Sequence, residues 1–319
     1  MSAAQFAENF LQALSAGLLT GAVYGLMCVG LSLIFGVMRV INFAQGDFMM
    51  LGMYVAYYAF GLFGAHLLFG AALAPYVAAL IAGPVIFIAG LLVHKLLVSR
   101  VSGMRGSALE SEGHYAQLIL TLGIALVIQN GGLWVFGSAP VSITTPLSSS
   151  AWEIGPLHGD LISIFVNQGQ TVAAVIAVLA VLGFVLLMGR SRLGKSLRAA
   201  ADNPEAAIYM GIDVDRAHRL AFGFGVAITA IGGGLLASSY PFQPYVGLEY
   251  VIVMYAGVVL GGLGSVAGAF FGGLTIGLVQ QLSTLVLPNQ LQNTAIFVVF
   301  LVIVLLRPQG LFGRAARRT

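Results

Sequence analysis

The sequence predicts an all-α polytopic membrane protein with about nine membrane-spanning segments, on three observations. Charged residues make up 8% of the 319 residues and hydrophobic ones 59%, against about 25% charged in an ordinary soluble domain. Apolar runs of bilayer length recur along the chain. Lys and Arg collect in only some of the gaps between those runs, the pattern of a membrane protein with one cytoplasmic face.

The apolar runs are 10–37, 48–70, 72–98, 115–137, 171–189, 219–240, 250–287 and 291–306. As one helix, 250–287 would be roughly 57 Å long, too long for one crossing. Gly261-Gly262-Leu263-Gly264-Ser265 divides it in two, which gives nine crossings. With the N-terminus outside, segments 38–47, 95–114, 189–218, 262–266 and 307–319 face the cytoplasm. Every Lys and Arg then falls at or beside one of them: Arg39; Lys95, Arg100 and Arg105; Arg190 to Arg219; Arg307 to Arg318. Eight crossings would put one basic cluster on the wrong side. The outer loop 138–170 carries Glu153 and Asp160 and no basic residue, and its Ser, Gly and Pro read as connection. Residues 1–319 are therefore expected to form a single transmembrane domain. The first 38 residues lack Lys and Arg, so the first run reads as a permanent span rather than a cleaved leader.

Glycine is the second signal. Gly17, Gly21 and Gly25 recur every fourth residue, as do Gly257 and Gly261, then Gly264, Gly268 and Gly272, and Gly273 and Gly277. That spacing lines one helix face with hydrogen atoms and lets backbones approach. Such faces serve tight packing or sliding during a conformational cycle.

The third signal is a polar island, residues 189–219, with six of the fourteen basic residues and four of the eleven acidic ones. Asn203-Pro204-Glu205 predicts a capped helix start, running Pro204 to Met210 and ended by Gly211. Lys195 to Ala201 predicts a helix before it. The small side Ala206, Ala207 and Met210 suits docking into a groove of another protein, and the plainer alternative is a solvated connection. Gly189-Arg-Ser-Arg-Leu-Gly194-Lys195-Ser196 fits a phosphate-loop pattern. Such a loop follows a β-strand, whereas this one follows an apolar span, so Lys195 reads as a membrane-interface anchor.

Gly194, Arg198-Ala199, Ala206 and Gly211 resemble the cytoplasmic coupling loop of ABC-importer permeases. The stretch Gly30 to Gly52 resembles the N-terminal signature of the LivH-type permeases of branched-chain amino-acid importers. Val259 to Gly268 is similar to that family's late Gly-rich turn, and Thr121-Leu-Gly-Ile with Gln129-Asn130 fits its fourth span. The family usually carries His and Glu where this chain has Gln45 and Asp47. The resemblance implies a bacterial inner-membrane subunit with a periplasmic N-terminus and a cytoplasmic C-terminus. Its implied partners are two ABC ATPase subunits, a second homologous permease and a periplasmic substrate-binding protein. ATP and Mg would be bound by the ATPases, with no cofactor and no catalytic site in this chain. Arg198, Asp202, Glu205, Ala206, Ala207, Met210 and Gly211 would carry the contact with the ATPases. The same scaffold also suits urea, short amides or aromatic acids. A stand-alone channel or secondary transporter for small polar solutes is the other alternative.

Arg39, Asn42, Gln45 and Asp47 form a polar cluster between the first two spans, read either as a cytoplasmic gate or as an interfacial turn in which Asp47 caps the second span. Polar groups at membrane depth mark a pathway or an interhelical hydrogen bond. Tyr24, Cys28 and Ser32 on one face, with Thr121, Gln129, Asn130 and Gln280, are the pathway candidates. Pro84 predicts a kink in the third span. The histidines at 66, 94, 114, 158 and 218 lack ligand spacing, so no metal site is expected. No basic stripe with interleaved aromatics supports nucleic-acid binding.

Overall fold

A computed structural model of the chain describes residues 3–63, 70–102, 110–157, 162–288, 291–307 and 310. His66, Arg105, His158, Asp160 and the basic residues from Arg314 to Arg318 lie outside the described residues.

Twelve α-helices run in the order α1 Ala3–Met38, α2 Gln45–Phe63, α3 Gly70–Val93, α4 Ser99–Ser102, α5 Glu110–Phe136, α6 Gln168–Arg190, α7 Arg192–Asp202, α8 Pro204–Tyr209, α9 Val214–Leu236, α10 Val246–Gly261, α11 Val266–Ser283 and α12 Gln292–Leu306, counted among the described residues. Helix α3 continues through Pro75 and Pro84 and joins α4 by a π-helical turn at His94–Val98. Six helical stretches among the described residues are long and apolar enough to cross a membrane; α10 and α12 are apolar but shorter.

The all-α expectation needs one correction. Residues expected to connect two spans form an antiparallel hairpin, β1 Ala151–Leu157 with β2 Ile162–Asn167. Trp152, Ile154, Ile164, Phe165 and Val166 are the β-branched and aromatic residues that favour a pleated surface. Gln12 near the start of α1 donates to the Phe165 carbonyl at 2.6 Å and accepts from its N–H at 2.9 Å, which ties the hairpin to that end of the bundle.

Glycine spacing sets the core. Space for a side chain at Gly17, Gly21 and Gly25 is taken by Leu278, Leu274 and Phe270 of α11, so α1 and α11 run antiparallel in near-backbone contact. Gly36 meets Gly264 in the turn between α10 and α11, marking the end opposite the hairpin. α10 and α11 close on each other through Gly257 with Gly272 and Gly261 with Gly268. The expected glycine faces are thus packing faces in this conformation. α9 fills the other side of α1, with Gly30 against Gly225, and α2 and α3 pack on α9.

Two chain segments depart from the expected simple crossings. The residues after α1 turn back into the bundle, because Gln45 at the start of α2 bonds Thr229 in the middle of α9. The chain between α9 and α10 also descends from the hairpin end, and α10 begins against α2: a side chain at Gly46 would overlap the Gly247 carbonyl. Tyr250 meets Tyr24 edge-on, ring centroids 5.9 Å apart. Tyr24 is twelve residues from Gln12 and twelve from Gly36, roughly 18 Å from each along the helix. α2 and α10 therefore start near mid-depth of the bundle, N-terminus against N-terminus.

Candidate functional site

The mid-depth junction is held by a polar knot. Asn42 Nδ2 donates to Gln45 Oε1 at 2.9 Å, and Asn42 Oδ1 accepts from the Ala44 N–H at 3.2 Å, opening the helix. Gln45 Nε2 donates to Thr229 Oγ1 at 2.6 Å and to the Gly225 carbonyl at 3.2 Å. Thr229 Oγ1 lies 3.3 Å from the Met27 carbonyl, so α1, α2 and α9 meet at one point. Thr121 of α5 accepts from the Phe43 N–H at 3.3 Å and also bonds the Ile41 and Leu118 carbonyls.

Asn42 and Gln45 are 0% exposed and Asp47 is 6% exposed, which corrects the reading of this cluster as an interfacial turn. A non-helical stretch at membrane depth must satisfy its own backbone groups or face water, and these side chains do so. Asp47 sits in the first turn of α2, where the helix dipole favours an acid. Arg39 stands apart: it is exposed, and at φ 54° it ends α1 in the left-handed region that usually calls for glycine.

The knot is expected to contribute chiefly to stability. Gln45→Leu strands the buried Asn42 amide, at a cost of about 1–3 kcal/mol. Adding Thr229→Val to it should cost less than Thr229→Val does alone, because the Gln45 amide that its hydroxyl accepts from is already gone. Thermal unfolding of the single and double variants in detergent checks this, and simple additivity of the two losses would refute the coupling.

The remaining pathway candidates divide between two surroundings. Tyr24, Cys28 and Ser32 do share a face of α1, and it is closed by α10 and α11: Tyr24 Oη donates to Gln280 Oε1 at 2.9 Å, and Cys28 Sγ points at the Met254 carbonyl at 3.6 Å. Ser32 Oγ is buried without a hydrogen-bond partner among the described residues. Asn130 lies on an exposed face of α5 and bonds its own helix at the Leu126 carbonyl, with Gln129 half-buried beside it.

At the hairpin end an open cavity of about 250 Å³ is lined by Ser142, Thr144, Ser148, Asn167, Gln170, Ser238 and Tyr240 among others. Its walls are irregular backbone held by the Val141–Phe242 bridge and by Ile143 N–H donating to the Ala237 carbonyl. Sequence reading passed over this cavity because each serine looked like loop filler. It also passed over Thr229, a single polar residue in an apolar run, and Glu249, which the run starting at 250 just excluded. The shared depth of these groups exists only once the chain is folded.

At the opposite end, three successive side-chain caps fold the polar island. Ser191 Oγ accepts from the Gly194 N–H at 2.9 Å, Asn203 Oδ1 from Ala206 at 3.0 Å and Asp213 Oδ1 from Arg216 at 2.9 Å. Pro204 stands in the first turn of α8, and Gly211 ends it at φ 78°, as expected. Gly194 lies inside α7 with its missing side chain facing the Met188 backbone, and a helix precedes it. The phosphate-loop pattern therefore has no strand in front of it.

Within the island the candidates separate by exposure. Ala207 is 3% exposed and faces the bundle, so it is not part of an outward small face with Ala206 and Met210. The outward face of α8 is Glu205, Ala206, Ile208, Tyr209 and Met210, and Tyr209 is 89% and Met210 81% exposed. Arg198 Nη1 donates to the Met188 carbonyl at 2.7 Å, tying α7 to the end of α6. Asp202 is exposed at the α7–α8 joint. Among the described residues no three His, Cys, Asp or Glu side chains are grouped as a metal ion would require.

The chain is similar to proteins from both bacteria and archaea. It is 28% identical to the high-affinity branched-chain amino acid transport system permease protein LivH of Escherichia coli K12, over 96% of both chains. It is likewise 28% identical to the corresponding permease protein BraD of Pseudomonas aeruginosa, again over 96% of both. The probable LivH of Methanocaldococcus jannaschii is 29% identical over 81% of this chain and 76% of that one. No solved structure matches at a significant level. The family model for the permease component of branched-chain amino acid transport systems matches residues 13–306, from within α1 to the end of α12. This multi-pass membrane protein, whose apolar helices frame both the mid-depth knot and the capped loop, belongs to that permease family.

Proposed function

We propose that the chain is one of two permease subunits of an ATP-driven importer for branched-chain or similar apolar amino acids. The observation that carries this reading is the family match, which extends through the polar island with its exposed, apolar α8 tip. Two ATPase subunits dock on that island and supply the energy, and a second homologous permease completes the pore. A periplasmic binding protein delivers cargo to the hairpin end, where the polar cavity opens. The distribution of Lys and Arg supports nine crossings of an inner membrane, the N-terminus periplasmic and the C-terminus cytoplasmic. α2 and α10 count among the nine, each helix starting at mid-depth and its crossing completed by the irregular stretch that leads into it. Conversion between inward- and outward-open forms follows from ATPase subunits that bind one form more tightly than the other.

Gentle detergent extraction of the tagged chain from its native membrane, followed by mass spectrometry, is expected to recover ABC-type ATPases and a second permease. The recovered complex, placed in liposomes with its binding protein and ATP, is expected to accumulate radiolabelled leucine. Recovery of this chain alone, passing solute without ATP, would replace the importer by a channel.

A further inference from the structure

Glu249 is an exposed carboxylate in the first turn of α10, next to Tyr250 and therefore at the depth of Tyr24. Hydrocarbon is a poor environment for a carboxylate, and ionisable side chains at such depth face a protein interior or water. α10 packs against α1, α2, α11 and α12, and none of these five helices contains a Lys or Arg. These helices therefore offer Glu249 no cation. Behind it the carboxyl group of Asp47 faces Gly247, on the buried side of the same helix start. Beside it Tyr245, Leu248 and Ile252 are exposed at helical spacing, forming an apolar margin to a single charge. The stretch that leads into this face lines the hairpin-end cavity at Ser238, Ser239, Tyr240 and Pro241.

We propose that Glu249 lines the aqueous pathway and receives the ammonium group of a zwitterionic amino acid in transit, with Tyr245, Leu248 and Ile252 offering apolar surface to its side chain. This rests on the importer reading above and assigns that importer a specificity-determining residue. A carboxylate here favours solutes that carry a cation and repels simple organic anions of the same shape, such as the matching keto acids.

The test uses the complete importer in liposomes with its binding protein, internal ATP and radiolabelled L-leucine. Glu249→Gln should lower leucine uptake at least tenfold, Glu249→Asp should retain a larger share, and ATP hydrolysis stimulated by the binding protein should persist in both. Glu249→Cys gives an independent readout, because the chain's own Cys28 is buried. A water-soluble methanethiosulfonate should label that variant, and leucine transport should slow the labelling. Uptake by Glu249→Gln at the wild-type rate would overturn the proposal. So would a Glu249→Cys thiol that ignores the water-soluble reagent yet reacts with a lipid-soluble maleimide. Failure of both Glu249→Gln and Glu249→Asp to assemble would assign the residue a structural role and overturn it as well. A wild-type complex that takes up no leucine refutes the importer reading instead, and thiol labelling still decides whether residue 249 faces water.

Discussion

Gly46→Val is expected to abolish recovery of folded protein, the largest effect on stability of any single substitution considered. The first carbon of a side chain at Gly46 would overlap the Gly247 carbonyl oxygen, stand 2.7 Å from its carbonyl carbon and 3.0 Å from Val251 Cβ. Backbone cannot swing aside as a flexible side chain does. Overpacking a core costs about 1–3 kcal/mol even where neighbours yield, and a domain's whole stability is about 5–15 kcal/mol. Here the obstruction falls at the junction of two helix starts, where Asp47 Oδ1 and N already lie within 2.9 Å of where a side chain at Gly247 would begin. Gly46→Ala should already lower the thermal midpoint clearly. Gly123→Ala is the control, since among the described residues nothing outside its own stretch of helix backbone lies within 4 Å of where its side chain would begin, and the helix gains up to about 1 kcal/mol from alanine. Gel filtration after detergent extraction and a thermal melt measure all three. A monodisperse Gly46→Val protein with a wild-type midpoint would mean that α2 and α10 do not meet in this way.

The contrast between Gly46 and the other glycines separates what local pattern reveals from what folding adds. Gly17, Gly21 and Gly25 were readable as a face because they repeat every fourth residue, and α11 lies on that face. Gly46 and Gly247 repeat nothing nearby, and their importance comes from a contact across two hundred residues. The capped ends of the island were readable for the same local reason: Asn203, Pro204 and Gly211 act on their own immediate backbone. Helix existence followed from apolar run length, which is why the long helices fall close to the predicted runs. Depth did not follow. Run length counts residues along the chain, and it has no term for a segment that re-enters the bundle, as the stretch after α1 does. The spacing of Asn42 and Gln45 between two apolar runs is therefore compatible with a turn at the membrane interface, whereas both are fully buried. The hairpin escapes a reading by periodicity because its strands are only seven and six residues long and Gly155 and Pro156 break the first.

Exposure likewise shifts where coupling to the ATPases should be tested. A change of both Ala206 and Ala207 to Glu confounds two effects, because Ala207 is buried against the bundle and its carbonyl accepts the Ile212 N–H that closes the turn after α8. Ala207→Glu should lower the thermal midpoint as well as uptake. Met210→Asp and Tyr209→Ala act on the outward tip alone, and surface changes of that kind usually alter stability within about 0.5 kcal/mol. A truncated anchor at a protein interface commonly costs 2 kcal/mol or more, a factor of about 30 in affinity. α8 is short and fixed at both ends, by Asn203 at its start and Gly211 at its finish, so the tip proposed to dock is ordered in advance. Both variants are accordingly expected to melt like the wild type while ATPase subunits wash off during purification and leucine uptake falls at least tenfold. Met210→Asp should be the more severe, since it buries an unpaired charge in the contact. Met210→Leu, which keeps the apolar volume, should retain both the ATPases and uptake. Full ATPase retention and normal uptake by Met210→Asp would overturn the proposed coupling contact on α8, with the exposed, capped face of α7 next in line.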